Sequence, residues 1–149
     1  MAVRLSKEEQ YGIMALVDLA YNLGGGPAQV RQIAQRQNIP QRFLEQIFAR
    51  LRQAKLVSGK RGPRGGYTLA VPATEIKLED VLIALRPRAA ERGKNADAKS
   101  LASLVDDIWT EVEVQFRGKL KELTLASMCD RAAVRGIEVK PQNKEDEML

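Results

Sequence analysis

Apolar positions recur every three or four residues in three successive segments at the start of the chain, and residues that start or stop helices separate them. Over SKEEQYGIMALVDLAYNLGGG, Ile13, Leu16, Val17, Ala20 and Leu23 keep one helical face. Ser6 with Glu9 three residues on forms a capping box at its start, and the glycine run from Gly24 stops it. PAQVRQIAQRQNI predicts a short second helix with Val30, Ile33 and Ala34 inward, closed near Asn38. In PQRFLEQIFARLRQAKLV, Pro40 suits a first helical position, and Phe43, Leu44, Ile47, Phe48, Leu51 and Ala54 form the inward stripe. Two short helices a few residues apart, following a longer supporting one, have the layout of a helix-turn-helix.

The period then changes. LVSGKRGPRGGYTLAVP predicts a β-hairpin in which strand-forming residues flank a tip rich in glycine, proline and basic residues, with Tyr67 anchoring the returning strand and Pro72 ending the pairing. A helix-turn-helix followed by a basic hairpin is a winged-helix arrangement. EIKLEDVLIAL returns to helical spacing, with Leu78, Val81, Leu82 and Leu85 inward, whereas RPRAAERGKNADAK has no clear period and predicts a loop. The longest helical pattern runs from about Ser100 to Leu123 and carries Leu101, Leu104, Ile108, Val112, Phe116 and Leu120 on one stripe, which needs a partner surface. Packing is the reading preferred for Trp109 and Phe116 on this helix. Thr124 opens a further short helix that Gly136 ends.

The fold expected is therefore mainly α with a small β-hairpin wing. A winged helix-turn-helix DNA-binding domain spans 1–86, a loop spans 87–99, a long helix and a short helix span 100–135, and the polar tail at 136–149 is expected to be disordered. No internal repeat is present.

Composition narrows the function. The chain has 149 residues, one cysteine (Cys129) and no histidine, which removes internal disulfides, the usual zinc sites and histidine-based acid–base chemistry. It contains no P-loop and no dinucleotide-binding glycine fingerprint, so an enzyme is not expected. No apolar run reaches the length of a bilayer span, and MAVRLSKEEQ turns charged at once. A cytoplasmic protein without a membrane partner is the expectation.

The net charge is +5, and its distribution matters more than its total. Between Glu45 and Glu75 there is no acidic residue, while Arg50, Arg52, Lys55, Lys60, Arg61 and Arg64 all fall in that window. The expected partner is double-stranded DNA. Lys60, Arg61 and Arg64 would supply charge-assisted phosphate contacts from the wing, and Gly65 would let the main chain approach where a side chain would collide. On the third helix, Gln41, Arg42, Glu45 and Gln46 lie opposite the apolar stripe, with Arg50 one turn beyond Gln46. Arginine pairs bidentately with guanine, glutamine with adenine, and glutamate accepts from the cytosine amino group. The competing reading of Glu45 is a surface pair with Arg42 at i,i+3.

With these elements placed, the chain resembles the Rrf-type bacterial transcription regulators, the family of IscR, NsrR and CymR. The matching text is QYGIMALVDLA, QIAQRQNIPQRFLEQIFARLRQAKLVSGKRGPRGGYTLA and EIKLEDVLIAL, which with the long helix covers about residues 4 to 127. The resemblance implies a homodimer, paired through the long helix, that binds an imperfect palindrome in promoter DNA. It carries the family's recognition-helix positions onto Gln41, Arg42 and Glu45 and its wing arginine onto Arg61.

One family feature does not carry over. Many relatives hold an iron–sulfur cluster through three cysteines in the loop before the long helix, and in this chain that region has none. No cofactor or metal is expected from these residues. Two explanations stand side by side: a naturally cluster-free regulator answering to an unknown effector, or a cysteine-substituted apo form of a cluster-sensing regulator, since Ala90, Ala96 and Ala102 recur at intervals of six. Cys129 reads as a small buried hydrophobe, as a redox thiol, or as a thiol that pairs across the dimer. Outside the DNA-binding class, the alternative is a protein-interaction adaptor built on the winged helix and the long helix.

Overall fold

A computed structural model describes residues 4–24, 26–62, 65–86 and 99–138. The sequence-based loop at 87–99 and the expected tail at 136–149 therefore fall almost wholly outside the described residues, as do Arg64, Ala90 and Ala96.

Helix α1 (Lys7–Leu23) starts at Ser6, whose Oγ accepts from the Glu9 amide at 3.1 Å while the Glu9 carboxylate accepts from the Ser6 amide at 3.0 Å. The reciprocal box satisfies two of the amides that a helix start leaves unpaired. Helices α2 (Val30–Gln37) and α3 (Gln41–Gln53) follow, with Asn38 in the left-handed conformation between them at φ 54°. Pro40 stands at the N-cap of α3, one position before the helical site that its fixed φ suggests. The α3 stripe is buried at Leu44, Ile47, Phe48 and Leu51, whereas Ala54 lies past the last helical turn and is exposed.

Asp18 on α1 is 2% exposed, and two side chains of α2 satisfy it. Arg36 reaches it through Nη2 at 2.6 Å and through Nε, and Gln37 donates at 2.6 Å. A carboxylate so deeply buried is tolerated only with such a full set of donors, and the pair fixes α2 against α1.

Strands β1 (Val57–Lys60) and β2 (Gly66–Leu69) are antiparallel, in the register Val57↔Leu69 to Lys60↔Gly66. Ala28, in the α1–α2 connection, joins the other edge of β2 through two backbone hydrogen bonds with Tyr67, of 2.7 and 2.9 Å. This third segment ties the wing to the helical body. Helix α4 (Leu78–Leu85) crosses α1 at Gly12, where a Cβ would come within 2.3 Å of Leu85 Cδ1. The missing side chain lets the two helices approach there without displacing Leu85.

Helix α5 (Leu101–Glu122) is capped by Ser100, and α6 (Leu125–Val134) by Thr124. The two behave differently. α6 returns to the winged-helix core: Leu125 is buried in it, its amide donates to Ile76 O at 2.8 Å, and Tyr21 Oη donates to Ile137 O just beyond the helix. α5 buries only Leu120 among its residues. No helix among the described residues is long and apolar enough to cross a membrane.

Candidate nucleic-acid interface

The outward face of α3 follows from its amphipathic spacing. With Leu44, Ile47, Phe48 and Leu51 buried, Gln41, Arg42, Glu45 and Gln46 are exposed together over the first half of the helix. Within this row Gln41 Nε2 donates to Glu45 Oε1 at 3.2 Å, so the i,i+4 glutamine is the partner of Glu45 in place of the i,i+3 arginine that spacing alone suggests. Arg42 projects from the same face without a carboxylate partner among the described residues.

Two residues assigned to this surface from sequence are engaged elsewhere. Arg50 sits on the flank of α3 nearest α1 and α4, where Nη1 meets Glu8 Oε1 at 2.6 Å and Leu85 O at 3.4 Å. A local sequence window contains neither partner. Gly65 is buried, and its amide donates to Gly62 O at 2.8 Å, closing the wing turn rather than facing outward. A Cβ at Gly65 would come within 2.1 Å of Lys60 O, so this glycine is required by the close approach of backbone to backbone.

The wing is seated on α3 by aromatic contact. The rings of Tyr67 and Phe48 lie 4.8 Å apart, centroid to centroid, and Phe48 is fully buried. Between the C-terminal end of α3 and the hairpin runs an open groove of about 560 Å³. Arg52 and Lys55 line one side, Lys60 and Arg61 the other, and Gly59 and Tyr67 lie between them. A Cβ at Gly59 would lie 3.9 Å from Arg52 Nη1, which places that guanidinium against β1. Arg52 and Lys55 joined the basic window in the sequence but not the residues assigned to contact; their position beside the wing is a tertiary fact.

The second surface is α5. Leu101 (80% exposed), Leu104 (53%), Ile108 (51%) and Val112 (50%) present the predicted stripe to solvent, extended by Val105. Phe116 is half-buried, and Leu120, at 8% exposure, is used inside the protomer, so the stripe available to a partner ends about one turn earlier than spacing predicts.

Cys129 on α6 is partly buried; burial, and then the neighbouring Asp130 carboxylate, push its thiol above the ordinary value. That is the opposite of what thiolate chemistry requires. Among the described residues no three Cys, Asp or Glu side chains gather in a way that could hold a metal ion.

The chain matches the profile of the Rrf2 family, described as an iron-dependent transcriptional regulator, over residues 5–131. The helix-turn-helix-type transcriptional regulator IscR of an Enterobacter species is 31% identical over 146 residues, covering 96% of this chain and 90% of that protein. Escherichia coli IscR is 32% identical over 135 residues, covering 89% and 83%. Among solved structures, T. potens IscR superposes with a TM-score of 0.73 at 33% identity, covering 89% of this chain and 90% of that one. CymR, the global cysteine regulator of B. subtilis, gives 0.67 at 26% identity, covering 87% and 98%. With the winged-helix architecture, the exposed face of α3 and a family match spanning both, the chain belongs to the Rrf2 family of transcriptional regulators.

Proposed function

We propose that this Rrf2 regulator binds duplex DNA as a homodimer and reads an imperfect palindrome, with α3 in the major groove and the wing on the adjacent backbone. The observation that carries the reading is the exposed row Gln41, Arg42, Glu45 and Gln46 beside a wing groove lined by four cations and no acid among its described residues. The row offers both donors and acceptors to base edges, and the groove offers only positive charge. Specificity and affinity thus fall to different residues. Glu45, which gains nothing from phosphates, acts in base selection, while Lys60 and Arg61 act on the backbone; Arg64 continues the same basic sequence.

The homodimer rests on α5. Its exposed stripe is too apolar and too continuous for a free helix face, and an isologous pairing along it would place two recognition helices in two-fold relation, as a palindrome requires.

We also propose that DNA reading by this chain needs no cluster. Iron–sulfur clusters are held chiefly by thiolates, sometimes with histidine; this chain has one cysteine, partly buried on α6 with its thiol pushed up, and no histidine. The donor set does not fit the group that the family description implies.

The test is selection from a random duplex library by the purified protein at about 0.15 M salt, where non-specific phosphate binding is weakened. Enrichment of a palindrome is expected, with Glu45→Ala relaxing preference at one position of each half-site and Arg61→Ala weakening all duplexes alike. A folded dimer that enriches nothing would refute the cluster-free reader and favour an adaptor role.

A further inference from the structure

The helix ends of the fold contain an anomaly beside the wing groove. Two backbone bonds close α3, Lys55 N to Arg52 O at 2.9 Å and Leu56 N to Leu51 O at 3.0 Å, with Leu51 and Leu56 both buried. This is a Schellman motif, whose turning residue must adopt the left-handed conformation that glycine takes most readily. Lys55 occupies that position at φ 62°.

The other left-handed helix ends among the described residues follow the expected chemistry. Gly24 ends α1 at φ 59°, Asn38 ends α2 at 54° with the same paired closure, and Gly136 follows α6 at 73°. Glycine and asparagine are the residues that tolerate this backbone; a lysine is disfavoured there by its Cβ. The end of α3 thus keeps a long cation where the backbone favours glycine.

Its surroundings supply a reason. Lys55 lines the groove between α3 and the hairpin with Arg52 on its own side and Lys60 and Arg61 opposite. Among the described residues none of the four is paired with a carboxylate. Arg52 stands seven residues after Glu45, two turns along the same side of α3, so the groove continues the row that carries Gln41 and Glu45.

We infer that this groove is a clamp for the sugar–phosphate backbone of one DNA strand, gripped by Arg52 and Lys55 from the helix and by Lys60 and Arg61 from the wing. Lys55 holds its left-handed place for that contact. The clamp rests on the DNA-binding reading given above and adds two residues to it. It acts on phosphates and carries no sequence preference of its own.

The Lys55→Gly variant separates the clamp from the fold, because it introduces the residue that the turn favours. It is expected to unfold at an equal or higher urea concentration than the parent. It should nevertheless bind a labelled mixed-sequence duplex, and the duplex enriched by selection, about three- to tenfold more weakly. Between about 50 and 200 mM salt, its slope of log affinity against log salt should be shallower by about one, with the preferred sequence unchanged. Arg52→Gln should behave likewise. If both variants bound with the parent's affinity and slope, the clamp would be overturned while the DNA-binding reading stood, and Lys55 would be there for the helix dipole alone. A parent that bound no duplex would overturn the underlying reading instead, which is a separate result.

Discussion

Tyr67 of the wing lies with its ring 4.8 Å from that of Phe48, on the buried face of α3, while its backbone amide and carbonyl bond Ala28 before α2. One residue therefore sets the wing against α3 and against the segment that leads into α2. Tyr67→Ala is expected to lose about 2–3 kcal/mol of stability, below the cost of a fully buried aromatic because Tyr67 is only half-buried. Tyr67→Phe keeps the ring contact and should stay within about 0.5 kcal/mol of the parent. Urea unfolding of the three proteins checks both.

The crossing of α1 and α4 leaves no room for a methyl group. A Cβ on Gly12 would meet Leu85 Cδ1 at 2.3 Å and Ile47 Cγ2 at 3.4 Å. Gly12→Ala gains about 1 kcal/mol in helix propensity but overpacks a fully buried leucine, which costs about 1–3 kcal/mol. A net loss is expected. Adding Leu85→Ala should make the pair less destabilising than the sum of the single changes, and a double-mutant cycle by denaturation reads that coupling.

Glu9 carries a pH dependence whose sign can be worked out. Burial pushes its carboxyl up, but the Arg86 guanidinium at 2.8 Å and the Ser6 amide and hydroxyl outweigh this and hold it below the ordinary value of 4.5. A carboxyl with a lowered folded value contributes its full stability above the unfolded value and loses it as pH falls through the folded one. From about pH 5 to about pH 3 the parent should therefore lose more stability than Glu9→Gln, which has no carboxyl to protonate there. Urea midpoints across that range test the difference; parallel curves would remove Glu9 from the account.

Leu104 and Ile108 are both about half exposed within a single chain, so charging them leaves the protomer core untouched. Leu104→Asp with Ile108→Asp is expected to sediment as a monomer with unchanged helical circular dichroism. Affinity for a two-half-site duplex should fall by about 100-fold or more, as the effective concentration of the second half-site is lost. Sedimentation velocity and fluorescence anisotropy on the same samples provide both readouts.

The features legible in the sequence are those encoded within about a turn of helix or across a short hairpin. The Ser6–Glu9 box, the glycine stop at Gly24, the α3 stripe and the wing strands all depend on neighbours a few residues away. Residues that depend on distant partners were not legible. Arg50 carries the same charge as Arg42, but Glu8 and Leu85 draw it to the body of the protein. Leu120 has the spacing of the exposed stripe yet is buried by the fold of its own chain. Gly65 invited a phosphate reading, and the structure adds a reason that spacing does not show, the close approach of the Lys60 backbone. Lys55 gave no signal as a helix end, because a pattern search looks there for glycine or asparagine.

The paired glutamates at the start of α1 also fasten other elements to that helix. Glu8 steadies Arg50 on α3, Glu9 steadies Arg86 at the end of α4, and Ser100 begins the next helix with its own cap on Ser103. Arg86 and Ser100 are each secured by residues outside the segment that joins them. Two neighbouring side chains thus act as rivets through one plate: loosening the start of α1 would loosen α3 and the end of α4 together.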